Sequence, residues 1–410
     1  MKVSRFLPVL AVAGIMVAAC GGNNPSSSTT PSGASVPSDL SISSFTADFS
    51  YMPKLADLYK SGKGKVGVIL PDTTSSTRYV DFDAPYLTKA FQQAGYSSSD
   101  FKIDNANGND QTEVALAQAD LAAGASVLIM DPLNSTVGSQ IQQLAQQKGA
   151  KLISYDRATF TGTSTYYVSF DNVQVGKLIG QGFLDCVTAF KVSNPQVFVL
   201  DGGEDSDPNA VSFAQGYNQV IWGDTTTPQQ PGKSNTQGMK LIGDQVAPGW
   251  DNSKGATIFQ QQFTAHPTIN ATVEANDGLA NAVIQVLKNK GVKANSIPTT
   301  GQDATLQGMA NVLTGFQCGS VYKAVYLEAQ AAVALATVLR SGAQPPQALV
   351  NGTTTPPSGV QGNQQPAVLL KPIWVNKDNM KSTVLKDNFV KTADLCAQVT
   401  AAVCTANGIS

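Results

Sequence analysis

Histidine is nearly absent from this chain: His266 is the only one in 410 residues. That excludes a histidine metal cluster, and no Ser-centred nucleophile elbow or paired-cysteine metal motif is present to replace it. His266 stands beside Pro267 at the end of a predicted helix, where a surface or capping role suffices. Charge is scarce too, at 14% of residues, with 27 basic against 29 acidic side chains and a net charge of -2. A nucleic-acid binder normally carries a basic face, and none is indicated here. No apolar run reaches the ~20 residues that a membrane-spanning helix needs. Hydrophobic residues nonetheless make up 42% of the chain. The length exceeds what one core usually fills, so two domains are expected.

The first segment reads as a processing signal. Lys2 and Arg5 precede a short apolar run over 6–17, interrupted by Pro8. Val17-Ala18-Ala19-Cys20 resembles a bacterial lipobox, which implies cleavage before Cys20 and lipidation of its thiol. More than one acyl chain there would anchor the protein firmly. Residues 21 to about 44 are Gly, Asn, Ser, Thr and Pro with almost nothing apolar, and read as a flexible tether. Cys186, Cys318, Cys396 and Cys404 remain. Outside the cytoplasm an even number permits disulfides. Cys396 with Cys404 closes a short loop, and Cys186 with Cys318 would be the second pair. Three pairings are possible, and the spacing does not choose among them.

The body begins at Lys65 as alternating strand and helix signals. Strands are expected over 65–70, 101–104, 126–130 and 151–155. The helices between them are expected over 80–94, 111–123 and 137–148, each closed by a glycine. The pattern resumes after 166–170, with strands at 196–200, 240–243, 271–275, 297–300 and 320–322 and a long Ala-rich helix over 324–340. Residues 223–238 and 344–364 read as loop, and 367–375 as strand. This cycle means α/β architecture with parallel sheets in two Rossmann-like lobes. Polar residues gather where strands end, at Asp72, Asp131, Asp156-Arg157, Asp201, Asn276-Asp277 and Gln302-Asp303. In open α/β sheets, ligands bind outside those carboxyl ends.

An ordered set of short motifs then resembles the type I periplasmic sugar-binding proteins of bacterial ABC importers, in particular the D-xylose-binding branch. The set comprises Ala106-Asn107-Gly108-Asn109, Tyr155-Asp156-Arg157, Ser169-Phe170-Asp171-Asn172 and Asp207-Pro208-Asn209-Ala210. It continues with Pro248-Gly249-Trp250, Ala275-Asn276-Asp277, Gly301-Gln302-Asp303-Ala304 and Val321-Tyr322-Lys323. The resemblance covers roughly 65–340. It implies the type I periplasmic-binding-protein fold, crossed three times at its hinge. It divides the chain into a signal peptide over 1–19, a lipid-anchored tether and lead-in over 20–61, a first lobe of 62–168 plus 324–343, and a second lobe of 169–323 plus 344–410. It implies that Arg78, Tyr79, Arg157, Asp207, Asn209, Trp250, Asn276, Asp303 and Lys323 contact a monosaccharide, D-xylose or a close relative. Tyr79 stands where the family has tryptophan.

Those residue types suit a sugar. Asp accepts, Lys and Arg donate, Asn does both, and each sugar hydroxyl needs partners of both kinds. A missing partner in a closed cleft costs at least about 1–3 kcal/mol, which gives stereochemical selectivity. Trp250 and Tyr79 would cover the faces of the ring. Several of these positions also have plain structural readings: Asp207 and Asn209 lie in an acidic turn that suits a helix cap, as does Asn276. The expected protein is a monomeric solute-binding component without enzymatic activity, cofactor, metal or nucleic-acid partner. It would be held to the membrane at Cys20 and would hand its sugar to ABC permease subunits. The alternative is a sensor that presents the same ligand to a membrane receptor or kinase. A sugar-responsive repressor shares the fold but would need a helix-turn-helix head.

Overall fold

The computed structural model describes residues 35–160, 165–203 and 207–409. The expected signal peptide, Cys20 and most of the expected tether lie outside the described residues.

Among the described residues there are twelve strands, numbered here in chain order. The first lobe is one sheet. β1 (Lys65–Leu70), β2 (Phe101–Asn105), β3 (Ala125–Met130), β4 (Lys151–Tyr155) and β5 (Thr165–Phe170) run parallel. Alternate side chains point to opposite faces, which is why both faces of these strands are apolar. Val66, Val68, Val127, Ile129 and Ile153 join the core under the helix Val325–Arg340, whereas Ile69, Leu128, Met130 and Leu152 join the one under Asp110–Ala122 and Ser135–Gln147. Val325–Arg340 is buried along nearly its whole length, as an Ala-rich helix without a polar face must be.

The second lobe holds a parallel sheet of β6 (Gln196–Gly202), β7 (Lys240–Ala247) and β8 (Ala271–Glu274), with β6 in the middle. Helices Asn172–Ala189 and Pro208–Trp222 cover one face. They approach closely because a Cβ at Gly176 would lie 2.1 Å from the Phe213 carbonyl oxygen. β9 (Ser320–Tyr322) pairs instead with a late strand. The stretch 297–300, expected as strand, is irregular and is held to β8 by the Thr300 N–H donating to Glu274 Oε2 at 2.8 Å.

Three expectations are corrected. The stretch 35–44, expected as the end of the tether, packs with the lead-in that follows it. Leu40, Phe45, Phe49, Met52, Leu55 and Leu58 are buried in the first-lobe core, and the Ile42 N–H donates to the Ala348 carbonyl at 3.1 Å. Sparse apolar residues suffice because most of them reach this core. The tail 344–410 does not belong wholly to the second lobe. β10 (Gly352–Thr354) and β11 (Gln365–Leu370) extend the first sheet, in the order β10-β11-β5-β4-β3-β1-β2, and β12 (Ile373–Val375) pairs antiparallel with β9. Beyond it, helices Thr392–Val399 and Ala401–Ala406 add Leu395, Val399 and Cys404 to the first-lobe core. The insert 223–238 is more than a surface loop: Gln229 is buried, and its N–H donates to Asp244 Oδ2 at 2.6 Å. Disulfides join Cys186 to Cys318 and Cys396 to Cys404.

Candidate functional site

The strand ends of the two lobes face one another. All nine residues expected to touch a ligand line a single cavity between them, together with Ser75, Ser76, Asp156, Phe213 and Gln302. All nine are buried. The space left among these side chains is about 30 Å³, enough for a water or two rather than a sugar ring.

The first-lobe wall is an ion network. Arg78 follows β1 and is 2% exposed. Its Nε and Nη2 donate to both oxygens of Asp83 at 2.9 and 2.8 Å, Nη2 also to Glu328 Oε2 at 2.7 Å, and Nη1 to Asp156 Oδ1 at 2.9 Å. Four of its five N–H groups are therefore committed inside the protein. Tyr79 does not offer a bare ring. Its hydroxyl donates to Asp156 Oδ2 at 2.9 Å and accepts from Arg157 Nη2 at 3.2 Å, and both guanidinium groups lie within 6 Å of the ring centre. Arg157, at the end of β4, spans the cleft, with Nε 3.7 Å from Asp131 Oδ1 in the first lobe and 3.9 Å from Asp207 Oδ2 in the second.

Electrostatics follow from this crowding. Burial alone would raise the Asp156 carboxyl, but Arg78, Lys323 and Arg157 hold it down at about 2. One guanidinium cannot balance Asp83, Asp156 and Glu328 together. Glu328 is the carboxyl that keeps its proton, since burial pushes it up to about 8 against the pull of Arg78. Asp131, fully buried with neither oxygen hydrogen-bonded, is driven well above the usual carboxylate range by burial.

The second-lobe wall is made of caps and loops. Asp207 is the N-cap of Pro208–Trp222, its Oδ1 accepting the Asn209 N–H at 3.0 Å. Its Oδ2 accepts Trp250 Nε1 at 2.7 Å. Trp250 follows β7 with φ at +58° and lies flat on the end of β6. A Cβ at Gly202 would lie 1.9 Å from its Cε3, so only glycine permits that packing. Asn209 reaches across the cleft, donating Nδ2 to the Asp156 carbonyl at 3.1 Å. Asn276 caps Asp277–Asn289 through its oxygen, at 2.9 Å from the Leu279 N–H. Its amide hydrogens are left for the cavity. Asp303, with φ at +90°, accepts Ser76 Oγ at 3.2 Å and sits 3.2 Å from Lys323 Nζ. Behind it, buried Asp277 accepts from Thr305, Gln317 and Ser320, which pins the loop that carries Asp303. Positive φ at Asp156, Trp250 and Asp303 costs about 1–3 kcal/mol each, a cost that clusters at functional sites.

Five lining residues lay outside the expected set. Asp156 and Gln302 were visible as polar strand ends, but Phe213, deep in a helix, reads as core. Ser75 and Ser76 belong to a Ser/Thr-rich loop with no distinguishing pattern. Gln302 Oε1 is buried without a hydrogen-bond donor, so the cavity presents an acceptor that would take an O–H, while Asp303 Oδ1 faces the Lys323 ammonium. The lone His266 is exposed at the C-terminal end of Asn252–Ala265.

Comparison with known proteins agrees with this geometry. The chain is 33% identical over 295 residues to a D-xylose-binding periplasmic protein of Escherichia coli, covering 72% of this chain and 82% of that one. It is 28% identical to a multiple sugar-binding periplasmic receptor of Rhizobium radiobacter, over 83% and 95% of the two chains. A solved carbohydrate transporter solute binding protein from Chloroflexus aurantiacus, in complex with D-glucose, shares the fold with a TM-score of 0.67 at 23% identity, over 80% of this chain and 97% of that one. These relatives are binding proteins rather than enzymes. A periplasmic binding protein domain profile matches residues 66–344, and with a cleft built at the facing strand ends of two α/β lobes, the chain belongs to that family.

Proposed function

We propose that the protein is the solute-binding component of an ABC sugar importer and captures a monosaccharide, D-xylose or a close relative, in the cleft between its lobes. The observation that carries this reading is the convergence of Arg157, Asp207, Asn209, Trp250, Asn276, Asp303 and Lys323 on one buried cavity. These side chains now bond largely to one another. A ligand would enter with the lobes apart, and its hydroxyls would take over those partners as the lobes close. Trp250 supplies the flat apolar surface for one ring face. Tyr79 and Arg78 act mainly by holding Asp156 and Arg157 in place. The names of the relatives support the sugar class, and the xylose-binding proteins among them support the pentose.

Residues 1–19 would be removed and Cys20 lipidated, anchoring a monomer on the outer side of the cell membrane. Among the described residues no helix is long and apolar enough to cross a membrane, so the attachment rests on Cys20. A Cys20→Ala variant recovered in the soluble fraction would support the anchor; one still membrane-bound would refute it. The ligand is tested by calorimetric and thermal-shift titration against D-xylose, glucose, galactose, ribose, arabinose and fucose. Saturable binding of at least one is expected. A melting temperature indifferent to all six would overturn the sugar reading. Loss of sugar uptake on deletion, with binding intact in vitro, would separate transport from sensing.

A further inference from the structure

The cleft does not stop at the ion-rich cavity. Ser76, Asn276 and Asp303 line that cavity on one side and a second chamber on the other. The second chamber measures about 330 Å³. A bond across the lobes lies between the two, Ser76 Oγ donating to Asp303 Oδ2 at 3.2 Å. It is a light partition: Ser76 is half-buried on a loop where Thr73, Thr74 and Thr77 are exposed.

The two chambers differ in chemistry. The inner one is crowded with ions, including Arg157, Asp156 and Lys323. The outer one is walled by amides and hydroxyls, with Asp81 and the shared Asp303 as its only charged groups among the described residues. Asn252, Asn281, Thr305 and Gln307 supply the polar wall, and Phe82 and Leu306 the apolar surface. Asn281 uses its oxygen to accept Asn311 Nδ2 at 2.7 Å, which leaves its two amide hydrogens as donors. Leu306 is 36% exposed. Neutral donors and acceptors beside a small apolar patch match a second sugar ring, with its hydroxyls and C–H face.

We infer that the ligand class extends to disaccharides, with one ring in the ion-rich cavity, the glycosidic oxygen at the Ser76–Asp303 partition and the second ring in the outer chamber. This inference rests on the sugar-binding reading above and adds to it a subsite walled by both lobes. Thr77 stands on the first-lobe side and Asn281 on the second, and neither lines the inner cavity.

Calorimetric titration of the whole chain with the six monosaccharides and with xylobiose, cellobiose and lactose tests it. At least one disaccharide is expected to bind within about tenfold of its parent monosaccharide. Thr77→Trp and Asn281→Trp each fill the outer chamber, and each is expected to weaken that disaccharide at least tenfold while the monosaccharide changes less than twofold. Retained monosaccharide binding reports that a variant has folded, and the two variants approach the chamber from opposite walls. Monosaccharides that bind while every disaccharide fails would overturn the outer subsite and leave the sugar reading standing. So would disaccharide affinity unchanged in both tryptophan variants. Failure of every sugar, single or double, would instead remove the sugar reading itself.

Discussion

The two walls of the cleft are built by different physics. The first-lobe wall is held by charge: Arg78 is clamped by Asp83, Asp156 and Glu328, and Tyr79 and Arg157 lean on the result. The second-lobe wall is held by backbone: Asp207 and Asn276 are helix N-caps, and Trp250 and Asp303 occupy left-handed conformations. A wall made of buried ions is rigid but fails as a unit when one member is lost. A wall made of caps and turns loses its parts one at a time. In a hinge-closing binder this asymmetry leaves one side as a fixed template and the other as the side whose pieces can be tuned.

The sharpest way to break that contrast is at Arg78. Arg78→Ala leaves Asp83, Asp156 and the protonated Glu328 buried without their shared cation, and stability is expected to fall by about 3–5 kcal/mol, read by denaturant unfolding, with sugar binding lost as well. A loss under 1 kcal/mol would show that the first-lobe wall is not held by charge. Trp250→Ala is next. It should lower sugar affinity 10–1000-fold, the range of about 2–4 kcal/mol for a buried aromatic anchor, while the first-lobe network survives. Unchanged affinity in calorimetry would take Trp250 out of the site.

Glu328 sharpens the comparison through pH. The unfolded chain gives up this proton near the ordinary value of 4.5, while the folded protein holds it to about 8. Stability therefore falls as pH rises between those two values. Glu328→Gln, which keeps the shape of the protonated form, should lessen that slope without abolishing it, because buried Glu113 and Glu274 are also pushed up to about 8. Asp156 works in the opposite sense. Its stabilisation is present above about 4 and lost as pH falls towards 2. A wild-type slope retained in Glu328→Gln would move the titration to another group. Asn276→Ala gives the smallest effect on stability, about 1 kcal/mol for a lost N-cap. The accompanying loss of sugar affinity should exceed anything the cap alone explains, and calorimetry on the folded variant separates the two.

Much of this was legible in one dimension. The repeating strand and helix signals from 65 to 340 gave the α/β class, and polar residues at strand ends pointed to Arg157, Asn276 and Asp303 because parallel sheets aim those ends at one edge. The tail was harder. β10 and β12 are three residues each, too short for periodicity to register, and β11 joins β5 across about 200 positions. The stretch up to 44 reads as tether because its apolar residues are few, yet Leu40 is buried and Val36 and Ile42 pack against the first-lobe core. Arg78 was expected to serve a ligand. Asp83, five residues on, takes two of its donors, and Asp156 and Glu328, 78 and 250 positions away, take two more, a set that only the fold assembles.

The sequence by itself determined that the chain makes two parallel-sheet lobes, and which residue types meet at their edges, since strand alternation and turn chemistry are local. Which of those residues would be free to hold a ligand and which would be consumed in holding one another was decided only in three dimensions. Burial makes every charge depend on its neighbours in space, and those neighbours come from segments that no local pattern connects.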